Sequence, residues 1–212
     1  IPGPRLVSID GIFSPADSDL DTLPEGVTVR SLAEALTEAP EATAAALALP
    51  EVARDDSALM LNAAFARDGI VIEIAPGVEL SRPILLLGID SGAKETAQFS
   101  RVLVTVGAGA KATVVEQCES VGPAPSQVNS ALSFAVGDNA EVEHVRIVTR
   151  QRPETVLVKS LLAEVGAHAS FASVALATCC GVLRQQSFVR YAGEHSRAAM
   201  RGINLLRNQE HS

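Results

Sequence analysis

Gly107-Ala108-Gly109-Ala110-Lys111-Ala112, Gly137-Asp138-Asn139-Ala140-Glu141-Val142, Gly166-Ala167-His168-Ala169-Ser170-Phe171 and Gly193-Glu194-His195-Ser196-Arg197-Ala198 are four copies of one short pattern. A looser copy, Ala75-Pro76-Gly77-Val78-Glu79-Leu80, precedes them, and the five begin at steps of 32, 30, 29 and 27 residues. Periods of roughly 20–50 residues mark architectures in which each copy is one stacked unit. An apolar, strand-like run stands before each copy: Val71 to Ile74, Val102 to Val106, Leu132 to Val136, Leu161 to Val165 and Phe188 to Tyr191. After the turn, Ala140 and Val142 share one face and Val145 and Ile147 another, which predicts a half-buried strand with a slip near His144, at a bulge or corner. Each copy therefore reads as a strand–turn–strand corner.

Small residues fit such a corner: glycine supplies positive φ, and a following Ala or Ser lets one coil approach the next. Gly109, Asn139, His168 and His195 fall at the same place in successive copies, and a turn position that tolerates left-handed angles accounts for all of them. Helical repeats are disfavoured because the intervening segments carry short Val-, Leu- and Phe-rich runs with no sustained 3.6-residue period. Left-handed β-helices are disfavoured because their hexapeptide signal would recur about every 6 residues. The expected fold is mainly β: a right-handed parallel β-helix over residues 70–212, one coil per repeat, behind an N-terminal mixed, mostly helical cap over residues 1–69.

Composition agrees. The 212 residues are 47% hydrophobic but only 3% aromatic, without Trp and with a single Tyr, so the core must be built from stacked aliphatic ladders. The formal net charge is -8 and no two Lys or Arg are adjacent, which argues against a nucleic-acid surface and for a protein partner. No run approaches the roughly 18 apolar residues that span a bilayer; Ile84-Leu85-Leu86-Leu87 is followed at once by Gly88 and soon by Asp90. Ile1-Pro2-Gly3-Pro4-Arg5 lacks the basic start and apolar centre of a signal peptide, so a soluble, cytoplasmic protein is expected. Three cysteines, Cys118, Cys179 and Cys180, give neither a disulfide framework nor zinc spacing.

The cap opens with a hairpin in which Leu6-Val7-Ser8-Ile9 and Ile12-Phe13 flank Asp10-Gly11, a dipeptide that favours a tight primed turn. Val27-Thr28-Val29 is a short strand. Ser31-Leu32-Ala33-Glu34 is a capping box starting a helix that ends before Pro40. A second helix is predicted over 41–49 and a third over 56–66, with Gly69 as its stop. Helices placed here are expected to close the open end of the solenoid, where unpaired strand backbone would otherwise be exposed.

Leu61-Asn62-Ala63-Ala64-Phe65-Ala66-Arg67-Asp68-Gly69-Ile70-Val71-Ile72, followed by Ile74-Ala75-Pro76-Gly77-Val78 and Arg82-Pro83-Ile84, resembles the SufB/SufD family of iron–sulfur cluster assembly scaffolds: an Asn-x-Ala-Phe helix end, an Asp-Gly turn, a strand, a Pro-x-Gly-Val corner and a Pro-Ile. Arg101-Val102-Leu103-Val104, Val115-Glu116 and Gly137-Asp138-Asn139-Ala140 extend the resemblance over essentially the whole chain, and Gly11-Ile12-Phe13-Ser14 looks more like SufD than SufB. The resemblance implies a non-enzymatic scaffold, a β-helix that pairs with a SufB-like subunit and is served by a SufC-like ATPase. It also implies that the residues tied to cluster formation lie in the last coils and the SufC-binding helices at the C-terminal end, beyond these 212 positions. The chain ends at Asn208-Gln209-Glu210-His211-Ser212 in mid-coil, so it is expected to be the N-terminal portion of a longer protein, and by itself to dimerise or aggregate through the C-terminal coil, whose ladder positions Ile203, Leu205 and Leu206 the longer chain would cover with further coils and a partner subunit.

Catalytic, cofactor and metal residues are accordingly expected to number none here, and the chain alone is expected to hold no cofactor. Cys118 invites a role as thiolate ligand or sulfur acceptor, but a buried core cysteine is the favoured reading, and Cys179 and Cys180 are weighed in the same way. His144 lies on the side of Val142, as a satisfied core or groove histidine. His168 and His195 read first as turn residues, one coil apart. The rival functions are a β-helix enzyme acting on polysaccharide, whose clustered groove carboxylates and export signal are not visible, and an interaction-only solenoid.

Overall fold

The computed structural model of the chain describes residues 2–178 and 181–205. Cys179, Cys180, Leu206 and His211 lie outside the described residues. At the N-terminus, β1 (Arg5–Ile9) and β2 (Ile12–Ser14) form the antiparallel hairpin, with Asp10 and Gly11 at φ 51° and 84° as a primed turn requires. Then come β3 (Val27–Ser31), α1 (Leu32–Glu38), α2 (Pro40–Leu47) and α3 (Ser57–Phe65). Both bonds of the Ser31/Glu34 capping box are made. Pro40 occupies the first turn of α2, where its missing N–H costs nothing, and the helix ends at Leu47, two residues short of the predicted end.

The remainder is a parallel β-solenoid of about five turns, and with 53% strand against 16% helix the chain is mainly β. In one sheet β4 (Asp68–Ile74), β6 (Thr96–Val106), β8 (Ser126–Val136), β10 (Val156–Val165) and β12 (Val182–Tyr191) stack in parallel. In the other, β5 (Ile84–Asp90), β7 (Lys111–Ser120), β9 (Glu141–Arg150), β11 (Ser170–Thr178) and β13 (Arg197–Leu205) do the same.

The corners stack as the repeat predicts. Gly107, Gly137 and Gly166 each donate their N–H to the last residue of the preceding turn's strand, at 2.8, 2.8 and 2.9 Å, and Ala192 does so in the fourth copy, whose corner is one residue longer. Gly77, Gly109, Asn139, His168 and His195 all have φ between 56° and 73°. Two demands that the sequence reading merged are thus separate. The third position carries the left-handed angle, whereas the leading glycine is needed because coils touch there: a Cβ on Gly107 would come 2.4 Å from the Pro76 nitrogen.

Three expectations are corrected. Gly69 does not stop a helix: α3 ends at Phe65, and Gly69 lies inside β4, where a Cβ would fall 1.6 Å from the Arg101 carbonyl oxygen. The helices do not close the end of the solenoid. Leu32 and Ala35 of α1 pack on Val71 and Leu103, and Leu59 of α3 on Ala131 and Leu162, so they lie on the outer face of the β4–β12 sheet. The end is closed by strands, β1 pairing in parallel with β5 and β3 antiparallel with β4. Finally, Ile203 pairs with outward-facing Leu176, so Ile203 and Leu205, both more than half exposed, belong to the outer face of the sheet and not to the interior ladder.

Candidate functional site

Strand alternation puts every second residue inside the solenoid, and in β9 that alternation runs unbroken from Val142 to Val148. Val142, His144, Arg146 and Val148 are all buried, on one inward row. The predicted bulge near His144 is absent; the register shift lies farther on, opposite Cys118/Glu119. Val145 and Ile147, whose apolar character suggested the slip, instead lie on the outer row and are only half-buried.

Parallel register brings its neighbours alongside. Glu116 of β7 pairs with Arg146, Val114 with His144 and Cys118 with Val148, and β11 places Ser173 beside His144. From the facing sheet β10 supplies Lys159, an inward residue between Leu157 and Leu161. Glu116 collects these groups: its Oε2 accepts from Arg146 Nε at 2.7 Å and its Oε1 from Lys159 Nζ at 3.1 Å. His144 Nε2 stands 3.6 Å from Oε2, and its Nδ1 lies 2.9 Å from Ser173 Oγ. The His144 ring also contacts Phe134, which packs on Phe171.

Burial opposes the charge on Glu116, but Arg146, Lys159 and His144 outweigh it and hold the carboxyl well below its usual range. Burial likewise opposes protonation of Lys159, and Cys118 and Glu116 beside it reverse the balance and raise its pKa. His144 goes the other way: burial, aided by Arg146, lowers its pKa against the pull of Glu116. The ring is therefore neutral at neutral pH. A proton on Nε2 faces Glu116 and leaves Nδ1 to accept from the Ser173 hydroxyl.

The cluster cuts the interior in two. On the corner side lies the large apolar core, from Ile70, Ile72 and Ile74 through Phe134 to Phe171. On the other side lies a small one of Cys118, Val128, Val148, Leu157, Ala177 and Leu183. A cavity of about 50 Å³ reaches the divide and is lined by Glu116, Cys118, Lys159, Ser100 and Ser130 among others. Lys159 has three donors and a single bonded acceptor, so the cavity suits one or two waters. Arg146 Nη2 and His144 Nε2 are buried without a hydrogen-bond partner.

Of the residues singled out from sequence, Cys118 and His144 therefore meet at one cluster, both buried. His168 and His195 are exposed on the corner ladder and take no part. Glu116, Arg146 and Lys159 were missed as site residues, although charged residues at inward positions of apolar strands were their signal. The family-like motifs serve a different task. Asn62, fully buried, accepts from Arg101 Nε at 2.8 Å and donates to the carbonyls of Ser100 and Asn129 at 3.1 and 3.0 Å, tying α3 to the sheet. Asp68 accepts from the amides of Phe13 and Ala33, both at 3.1 Å, and so joins the hairpin and α1 to β4.

A parallel β-solenoid with helices strapped along one outer face and a buried ion cluster at its axis places the chain among the stacked-coil β-solenoid proteins. The chain matches the family models for the SUF system FeS cluster assembly SufBD core domain, over residues 89–212, and for the SufBD protein N-terminal region, over residues 4–86. It belongs to the SufB/SufD family, which works with other Suf proteins, and its role is in iron–sulfur cluster assembly by the SUF system. A search of curated proteins gives no match. Among the described residues no helix is long and apolar enough to cross a membrane.

Proposed function

We propose that this chain is a SufD-like scaffold subunit acting in the cytoplasm as a heteromer with a SufB-like partner and a SufC-like ATPase, with no catalytic chemistry and no resident cofactor of its own. The observation that carries the reading is the match of both family regions in order along the chain. The lean toward SufD rests on Gly11-Ile12-Phe13-Ser14, the hairpin whose inward Phe13 joins the main core. The charges of the interior cluster are spent on one another, as in a part that holds shape.

Co-expression with SufB-like and SufC-like proteins is the test. A stable complex containing both is expected, while the chain alone purifies colourless and does not hydrolyse ATP. Recovery with neither partner overturns the assignment. A cluster absorbance after anaerobic reconstitution of the chain alone, lost in Cys118→Ser or in Cys179→Ser/Cys180→Ser, overturns the statement that it holds no cofactor.

A further inference from the structure

We propose that His168 and His195 form a surface chelate for a divalent transition-metal ion of the zinc, nickel or copper class, clipping the corner between β10 and β11 to the corner between β12 and β13. The two rings are in contact, with centroids 4.9 Å apart and planes 31° from parallel, and both residues are exposed. Backbone enforces the pairing. The residues have φ of 56° and 59°, and the His168 N–H donates at 2.9 Å to the carbonyl of Glu194, the residue before His195.

Conformation admits these side chains without requiring them. The same ladder position is filled by Gly77, Gly109 and Asn139 in the earlier coils, so the left-handed angle is met as well without an imidazole as with one. Imidazoles stand at two neighbouring corners, where their rings meet. Among the described residues neither ring makes a hydrogen bond or an ion pair, so each keeps a nitrogen lone pair free.

Imidazole nitrogen suits zinc, copper and nickel. At metal–nitrogen distances of about 2.0–2.1 Å, two donors to one ion lie roughly 3 Å apart, which rings in contact reach by side-chain rotation with the backbone fixed. No cluster of three or more His, Cys, Asp or Glu suited to a metal exists among the described residues. Water therefore completes the coordination, and the second imidazole supplies the gain over a single one through its effective concentration.

Copper(II) and zinc titrations of the intact chain test this, with His168→Asn, His195→Asn and the double variant as comparisons. Asn139 already serves in the left-handed position, so the variants keep the corner. The wild-type imidazole resonances of the two residues should broaden together at the first additions of copper. Zinc should raise the melting temperature and slow amide exchange at both corners. Either single variant should weaken binding by at least about tenfold, with the double variant little worse, as a chelate requires. Loss of less than about threefold per variant, additive in the double, or first broadening elsewhere than at these rings, overturns the proposal.

Discussion

The corner side of the solenoid interior and the ion layer that bounds it share one backbone geometry and differ completely in chemistry. Toward the corners, Ile72, Val104, Phe134 and Ala163 form one row across the β4–β10 sheet, and Ala112, Val142 and Phe171 another across the facing sheet. A few residues along the same strands, the rows instead hold Glu116 and Arg146 on one side and Ser100, Ser130 and Lys159 on the other. An apolar ladder distributes its contribution over many similar contacts. A buried ion cluster concentrates it, because one carboxylate answers for two permanent cations. The first region should respond to mutation in proportion to the volume removed, the second in proportion to the charge left uncompensated.

The largest effect should therefore follow Glu116→Ala. It strands Arg146 and Lys159 in a core where both are almost fully buried, and breaking such a set costs about 3–5 kcal/mol. Replacing the whole set, as in Glu116→Met with Arg146→Leu and Lys159→Met, should recover most of that loss, since apolar substitution of a buried ion set is often neutral or stabilising. Chemical denaturation of the single and triple variants checks both expectations. A triple variant less stable than Glu116→Ala would show that the cluster stabilises by more than mutual compensation.

Leu132→Ala is the counterpart in the apolar region. Leu132 is 3% exposed within the main core, and truncation there should cost about 2–5 kcal/mol, with the spread set by how far the ladder collapses. Unlike Glu116→Ala, it should leave the pH dependence of stability unchanged. A change in the pH profile of Leu132→Ala would mean that the two regions are not energetically separate.

Next in size is the anchoring network. Asn62→Ala removes the acceptor for Arg101 Nε and the donors to two buried carbonyls, for an expected loss of about 1–3 kcal/mol. That loss should appear as local release of α3, with faster amide exchange over 57–65 than over β6 and β8. Uniform loss of protection would contradict a role confined to strapping the helix.

These contrasts mark what the sequence made legible. The period, the left-handed corner position and the capping box rest on local backbone demands, which leave a trace wherever they occur: Gly109, Asn139, His168 and His195 could be aligned without knowing the fold. The cluster is a tertiary object. Glu116 and Lys159 are 43 residues apart and meet because β7 and β10, in opposite sheets, face each other across the interior, and no local pattern records that. Strand β9 shows how the reading failed: giving the apolar Val145 and Ile147 a face of their own put an imaginary slip near His144, when unbroken alternation through Val142, His144, Arg146 and Val148 would have announced a polar interior. The end closure was missed for a similar reason, since pairing of β1 with β5 and of β3 with β4 is a long-range choice.

The smallest effect, and the one that isolates a single group, concerns pH. His144 is buried and neutral in the folded protein, with its pKa lowered first by burial and further by Arg146, against Glu116. The unfolded chain protonates it at about 6.5. As pH falls through that value the unfolded state takes up a proton that the folded state refuses, so stability must fall with pH until the folded pKa is passed. Glu116, with a depressed folded pKa, keeps its contribution above about 4.3 and loses it only as pH falls below that. Lys159, with a raised one, loses its contribution only as pH rises past about 10.4. Within the cluster, the window below about 6.5 and above the carboxylate range therefore belongs to His144. His144→Gln should lower stability at neutral pH by disturbing the contact with Ser173, yet flatten the profile in that window relative to wild type. Denaturant midpoints measured across it decide the matter: parallel profiles for the two proteins would mean that the folded and unfolded states protonate His144 at the same pH and that burial does not lower its pKa, whereas a wild type that gains stability over the variant as pH falls would mean that Glu116 holds the ring as a third cation beside Arg146 and Lys159.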